Sequence, residues 1–375
     1  MKVLHIMSSF GGGISSFIKN KATALKNSDV VFDVLTYDPV NETFKKAINE
    51  MGGVIYYMDN PKQYGYKRFY KMVNKAFKNQ PNDLIVHCHI QGYRMLPFYL
   101  IAKHNKIKRF IVHAHTDVEE KDFNNPINQL NRTINAHIRV EKVSCGFKAS
   151  KNIFGEKVLT HKQIMHIPNS IDPDIFLEPI DIKKKRTEVV GLGNENTKII
   201  GNVARFHKQK NHLFMIKIIE ELSQSHLDFL WLFIGEGALI DSFKQLVKEK
   251  KLENYVRFLG RRNDLSDLYQ IMDVFVLPSL YEGLPTVAIE AQAAGTNTFL
   301  SNTITEESDL GLDLVRFLPL ESASDWTSAI IQLEQKHTVN IHDREKKMIE
   351  KKFTNQQSAG LYLSFLNQKI INYDI

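Results

Sequence analysis

With 375 residues the chain is too long for one ordinary domain and suits two. Hydrophobic residues at 43% and charged residues at 24% are typical of a soluble globular protein, and no apolar run approaches the ~18–20 residues that a membrane-spanning helix needs. The net charge of +7 is uneven: Met1–Ser170 holds 25 Lys and Arg against 13 Asp and Glu, the remainder 24 against 29, so an anionic partner is expected at one half only, and no recognition-helix, RNP or zinc-finger signature points to nucleic acid.

The opening "MKVLHIMSSFGGG" has a short apolar run without an extended hydrophobic region or a small-residue cleavage site. It predicts a first strand, not a signal peptide. Gly11, Gly12 and Gly13 follow that strand, allow close backbone approach and feed a helix. They do not form G-x-G-x-x-G, and no acidic residue ends a second strand where a ribose would need it. A dinucleotide fingerprint, and with it an NAD-linked oxidoreductase, is disfavoured.

Further strands are expected at "VVFDVLTY", "GVIYYM", "LIVHCHI", "RFIVHAH" and "VEKVSCG", with helices over Ser15–Leu25, Asn41–Met51 and Arg68–Lys78. Apolar strands alternating with helices argue for a parallel sheet covered on both faces. The stretches Lys67–Lys78 and Lys103–Phe110 carry much of the positive excess. Singly they read as solvated helix faces; summed, they suit an anionic membrane surface or a phosphorylated substrate. His87–His89 and His113–Asp117 stand at strand ends. They could bind metal, but no carboxylate-rich motif accompanies them, so hydrogen bonding to a polar substrate ranks higher, and His87 and His113 also suit a buried structural role. Cys88 and Cys145 are too few for a disulfide framework or a zinc site, which suggests a reducing, cytoplasmic setting.

Pro168, Pro173 and Pro179 mark an extended connector over His166–Glu188. Strands are then expected at "KIIGNVAR", "FLWLFIG", "YVRFLG", "VFVLPS" and "NTFLS", with helices over His212–Ser223 and Leu239–Lys250. Each half reads as a doubly wound domain, and ligands of such sheets bind beyond the strands' carboxyl ends. The natural site is then the cleft between the two.

Arg205 and Lys210 follow the first strand of the second half, where two cations beside a helix start could clamp a diphosphate leaving group. The alternative is surface charge. In "SLYEGLPTVAIEAQAAG" (Ser279–Gly295), Pro285 suits the first turn of a helix that Gly295 stops. Amides near Gly283, Leu284, Thr286 and Val287 would then form an anion site at the positive end of the helix dipole. Glu282 and Glu290 flank it, and a carboxylate accepts from two hydroxyls at once, as a ribose or hexose diol requires. Carboxylate, amides, carboxylate is what a nucleotide-sugar would need. Two ordinary glutamates are the competing reading.

The "IPNSID" connector, the Arg205…Lys210 loop, the "GEG" at Gly235–Gly237, "VRFLGRRNDL", the Glu-x7-Glu stretch and a closing helix with Phe353 and Tyr362 resemble, in order, the retaining glycosyltransferases of family 4. The segments "DLGLDLVRFLPLESASDWTSAI" and "VHCHIQGY…RFIVHAHTD" look most like its exopolysaccharide and capsule branch. The resemblance implies an α/β GT-B fold: two Rossmann-like doubly wound domains facing a central cleft. Residues 1–170 would bind the acceptor, 171–352 the nucleotide-sugar, and 353–375 would cross back to the first domain. Carried over, Arg205 and Lys210 hold the diphosphate, Glu290 the ribose and Glu282 a hydroxyl of the donor sugar. The amides of Leu284 and Thr286 touch sugar and phosphate, His115 contacts the sugar near the reacting carbon, and Gly12 and Gly13 line the phosphate side. Gly260 and Arg261 lie against the base. Ser170, where the family has glycine, is expected to change only the turn.

The implied activity is retaining transfer of a hexose-type sugar from a nucleotide-diphosphate donor, a UDP-sugar in the first instance, to a lipid-diphosphate-linked saccharide. No metal or other cofactor is expected, and the enzyme would sit peripherally on the anionic inner face of the plasma membrane. A nucleotide-sugar 2-epimerase shares the architecture, but the Glu-x7-Glu stretch fits transfer better. A non-catalytic nucleotide- or glycan-binding partner of a polysaccharide assembly complex is the rival from another class, and intact Arg205, Lys210, Glu282 and Glu290 argue against it.

Overall fold

The computed structural model describes residues 1–78, 80–81, 83–115, 125–160, 164–191, 196–333 and 339–368, with the side chains of 159 and 160 excepted. Thr116 and Asp117 of the second histidine motif lie outside the described residues, as does the end of the 353–375 segment. The chain divides into two compact units, Met1–Ser170 with Lys352–Ile375, and Ile171–Lys351.

The first unit is built on seven parallel strands: β1 (Lys2–Met7), β2 (Val31–Thr36), β3 (Ile55–Tyr57), β4 (Ile85–Cys88), β5 (Arg109–Ala114), β6 (Glu141–Ser144) and β7 (Ile164–His166). Their order across the sheet is β3-β2-β1-β4-β5-β6-β7. Val3, Leu4, Ile6 and Met7 of β1 are all buried, as a strand covered on both faces demands. The sequence pattern predicts six strands; β7 is the addition. At three residues, directly before the connector prolines, it is too short to carry a period of its own.

Helices alternate with these strands. Glu42–Glu50 is capped by Asn41, whose side chain accepts from the Phe44 amide at 2.9 Å. Tyr66–Phe77 buries Phe69, Val73, Ala76 and Phe77 and leaves Lys67, Arg68, Lys71 and Lys75 exposed, the division that a 3.6-residue period produces. The helix Asn355–Leu366 also belongs to this unit. It buries Tyr362, Phe365 and Leu366 in the same core as Phe17 and Phe32. Ser358 Oγ donates to the Pro168 carbonyl at 2.6 Å, and Arg109 Nη1 to that of Leu366 at 2.5 Å. Arg109 is itself held by a two-pronged bond to Glu141 at 2.8 and 2.7 Å.

The second unit carries six parallel strands: β8 (Lys198–Val203), β9 (Phe229–Ile234), β10 (Val256–Gly260), β11 (Val274–Leu277), β12 (Asn297–Ser301) and β13 (Val315–Leu318). They are ordered β10-β9-β8-β11-β12-β13. The pattern predicts five; β13 is added beside β12. Trp231, Phe233, Phe243 and Trp326 anchor the core, and Trp326 Nε1 donates to the Pro319 carbonyl at 2.6 Å. In both sheets the strand order reverses once, at β1/β4 and at β8/β11. Those reversals are the switch points where doubly wound sheets open a crevice.

Candidate active site

In the second unit every strand runs the same way, so the loops leaving β10, β9, β8 and β11 lie side by side at one edge of the sheet. Those loops carry Gly260 and Arg261, Gly235, Arg205 with Lys210, and Ser279–Thr286 respectively. Two glycines let them close up. Gly235 (φ 137°) and Gly237 (φ 158°) press against the Arg205 loop so tightly that a Cβ would meet the Ala204 oxygen at 2.1 Å and the Phe206 oxygen at 2.5 Å. Backbone bonds seal the contact: Phe206 N to Glu236 O at 2.9 Å, Gly235 N to Gly260 O at 2.8 Å. Arg205, on this laced backbone, is exposed and makes no ion pair among the described residues.

Lys210 and Glu282 meet. Lys210 Nζ donates to Glu282 Oε1, and the two side chains are only 17% and 9% exposed. Gln209 joins their loops: its carbonyl accepts from Leu280 N at 2.8 Å, and its amide donates to the Tyr281 carbonyl at 2.8 Å and to Glu282 Oε2 at 3.3 Å. Gly283, Leu284 and Pro285 are buried beside them, and Thr286 is half-buried.

The helix begins one residue later than its sequence suggests. It spans Thr286–Ala293, and Pro285, with an extended ψ of 106°, is its N-cap and not part of its first turn. Pro285 still spares the helix a donor, and its carbonyl accepts from Ala288 N at 3.1 Å. Gly295 (φ 75°) ends the helix: Gly295 N reaches Gln292 O and Thr296 N reaches Ala291 O, each at 2.9 Å, the paired bonds of a glycine stop. Ala288, Ala291 and Ala293 are buried, and Glu290 on the same helix is half-buried. Its Oε2 accepts from Tyr269 O–H at 3.0 Å. Burial pushes the Glu290 carboxyl up to about 7, the Tyr269 hydrogen bond opposing that shift.

In the first unit Gly12 (φ 78°) caps the helix Gly13–Ala24 at the end of β1, and Gly12 and Gly13 are exposed. Beneath them lies a core feature of which the sequence shows only parts. His5, His87, His89, His113 and His115 are all buried together. His5 Nδ1 lies 3.0 Å from His89 Nε2, and His89 Nδ1 lies 2.7 Å from His115 Nε2. His87 Nε2 lies 3.0 Å from His113 Nδ1, and His87 Nδ1 lies 2.6 Å from the Tyr362 hydroxyl. Burial holds His5 and His115 down at about 3 and the other three well below the usual imidazole value, which favours the neutral ring. His89 and His115 line a cavity of about 540 Å³ together with Gln91, Arg94, Asn131 and Arg132. Its amides and guanidiniums suit hydroxyls and phosphate.

Ser170 does more than shape a turn. Its Oγ accepts from Lys21 Nζ at 2.9 Å, and its carbonyl from Asn20 Nδ2 at 2.6 Å. Lys21 is wholly buried, 4.7 Å over the Phe17 ring, and burial lowers its ammonium to about 7. Glycine at position 170 would leave this lysine without that acceptor. Gln209, Tyr269 and Lys21 were not legible as site residues: each sits in an ordinary helical or loop pattern, and only the folded chain shows what it touches.

Two family models match the chain, "Glycosyltransferase Family 4" over residues 11–175 and "Glycosyl transferases group 1" over residues 184–352. The chain is 29% identical over 372 residues to EpsF of Bacillus subtilis (strain 168), named as a glycosyltransferase, covering 98% of this chain and 96% of that one. It is 24% identical over 385 residues to the capsular polysaccharide biosynthesis glycosyltransferase CapH of Staphylococcus aureus, covering 97% and 99%. Among solved structures, Anabaena Alr3699/HepE in complex with UDP and glucose superposes with a TM-score of 0.76 at 17% identity, covering 98% of this chain and 100% of that one.

Proposed function

From the premise that the chain belongs to the glycosyltransferases of the GT-B fold, with a family 4 module followed by a group 1 module, we propose that it moves a hexose-type sugar, with retention, from a UDP-sugar to a lipid-diphosphate-linked saccharide in capsule or exopolysaccharide synthesis. One observation carries the reading. Arg205 and the Lys210–Glu282 pair stand on neighbouring loops at the β8/β11 switch point, before the start of the helix Thr286–Ala293 that carries Glu290. Cations and a helix start grip a diphosphate, and the carboxylates on either side accept from sugar hydroxyls.

In this mechanism Arg205, Lys210 and the helix start stabilise the negative charge that grows on the diphosphate as the glycosidic bond breaks, and no divalent ion is needed. Glu290 accepts from the ribose, Glu282 from a donor-sugar hydroxyl. His115 contacts the sugar near the reacting carbon. The departing phosphate accepts the acceptor's proton while the new bond forms on the same face.

The acceptor reading draws on the first unit. Its excess of positive charge, and a cavity lined by amides and two arginines, suit a saccharide carried on an anionic diphosphate. The exposed Tyr66 and Tyr70 share the helix Tyr66–Phe77 with Lys67, Lys71 and Lys75, the aromatic and basic mixture that lies well on an anionic bilayer. A panel of nucleotide-sugars with a synthetic lipid-diphosphate saccharide tests the whole reading, scored for nucleotide release and for the mass and anomeric configuration of the product. Turnover with no donor in the panel would sink it.

A further inference from the structure

Tyr269 lies in the helix Leu265–Ile271, which buries Leu268, Tyr269 and Ile271. It is wholly buried, and a phenol hydroxyl taken out of water needs a partner. That partner is a carboxylate: Tyr269 O–H donates to Glu290 Oε2 at 3.0 Å. Burial, and after it the Glu290 charge, push the phenol well above its ordinary value, so it keeps its proton and stays a donor.

The donor is fixed in place. The Tyr269 ring stands edge-on to Phe275 of β11, with centroids 5.6 Å apart, and packs against Phe176 at 6.2 Å. Its carbonyl accepts from Thr296 Oγ1 at 2.6 Å and from Met272 N at 3.1 Å. Thr296 directly follows the glycine that stops the Glu290 helix, so Tyr269 is tied to that helix at its carboxylate and at its end. Glu290 makes no ion pair and no second side-chain hydrogen bond among the described residues, and its Oε1 is not a buried atom. One carboxylate oxygen is thus held by a rigid neutral donor and the other is open. Satisfying a tyrosine does not require this, since a backbone carbonyl or a glutamine would accept from the phenol without desolvating a charge.

We infer that Tyr269 is a positioning residue for the nucleotide: by holding Oε2 it presents Oε1 of Glu290 to the ribose hydroxyls, and the pair tells a ribonucleotide from a deoxyribonucleotide. Two lone pairs on Oε1 can accept from one hydroxyl of a vicinal diol or from both. Released from the tyrosine, the glutamate side chain regains rotamers that it must give up again on binding, which costs affinity. The ribose half of this inference rests on the donor reading above. The hold of Tyr269 on the carboxylate does not.

The test is Tyr269→Phe in the full chain, which deletes the hydroxyl and keeps the ring. Calorimetry at pH 8 compares UDP with 2′,3′-dideoxy-UDP. Wild type should bind UDP about tenfold more tightly, or better, because the dideoxy compound offers the carboxylate no hydroxyl. Tyr269→Phe should weaken UDP about fivefold and leave the dideoxy compound within about twofold, so that the ratio contracts. Equal weakening of both compounds is the mark of packing alone and would overturn the inference. So would an unchanged UDP affinity, or a wild type that does not discriminate. A second readout needs no nucleotide. With ¹³C-labelled glutamate carboxyls, the Glu290 signal, identified by its loss in Glu290→Gln, should titrate at higher pH in Tyr269→Phe, because the lost bond favours the ionised form. An unmoved midpoint would show that Tyr269 does not hold the carboxylate. If wild type binds no UDP, the donor reading falls and the ribose half with it, and the titration still decides the tie between Tyr269 and Glu290.

Discussion

Lys210 and Glu282, 72 residues apart in sequence, are ion-paired at the carboxyl edge of β8 and β11, with Gln209 bonded to the same carboxylate. Part of the cationic charge that the proposed mechanism offers a diphosphate is therefore already balanced. Removing Glu282 as an anion should tighten product binding while harming transfer. By calorimetry, Glu282→Gln should bind UDP several-fold more tightly than wild type, with kcat at least tenfold lower. Weaker UDP binding would show that the pair does not oppose the phosphates.

Arg205→Ala and Lys210→Ala should each lower kcat by ~10²–10³, the usual loss when one preorganised donor to a developing negative charge is removed. Thermal unfolding should move little for Arg205→Ala, because that side chain is exposed. Activity should persist in excess chelator. A chelator-sensitive wild type would instead assign the phosphates to a divalent ion.

Desolvation pushes the carboxyl of the half-buried Glu290 up to about 7. Its raised value means that its stabilising contribution is complete below about 4.5 and is lost as pH rises through 7. The ionised form is the better acceptor for a ribose diol, so donor KM should fall between pH 6 and pH 8. Glu290→Gln should raise KM at pH 8 and flatten the profile. A profile unchanged in Glu290→Gln would remove this residue from donor binding.

Lys21 gives the opposite pH dependence. Burial lowers it from 10.5 to about 7, so the stability it contributes is full above 10.5 and is lost as pH falls toward 7. At 1.36 kcal/mol per pH unit the swing is on the order of 5 kcal/mol. Lys21→Met should raise the unfolding midpoint at pH 7 and reduce its rise with pH. A lower midpoint would mean that the bond to Ser170 outweighs the buried charge.

Reversing Lys71 and Lys75 to Glu should weaken binding to anionic vesicles in low salt, by about 1 kcal/mol or more per charge removed near the surface. Tyr66→Ser with Tyr70→Ser should weaken it in a way that salt does not restore. Unaltered sedimentation with vesicles in both variants would place the basic helix away from any bilayer.

Much of this was legible from strand-end position. Apolar runs mark eleven of the thirteen strands among the described residues, and position after a strand singles out Arg205, Lys210 and Glu282, which the fold sets on neighbouring loops. What stayed hidden depends on lateral order. His5 stands opposite His87 because β1 pairs with β4, a neighbour relation that no local period encodes. Tyr269 reaches Glu290 across 21 residues, and Lys21 reaches Ser170 across 149. Such contacts follow from the sheet's connectivity, and the chain's own spacing is silent on them.

The placement of Tyr362 bears on how the protein is made. The core that holds Phe17 and Phe32, and the hydrogen bond to His87, are completed by a helix translated after the entire second unit. A nascent chain leaving the ribosome therefore carries an N-terminal half with an apolar gap and an unsatisfied imidazole for as long as Ile171–Lys351 is being synthesised, whereas the second half can close as soon as it emerges. Order of synthesis and order of completion are reversed: the first half waits, with apolar surface uncovered, until the helix Asn355–Leu366 arrives.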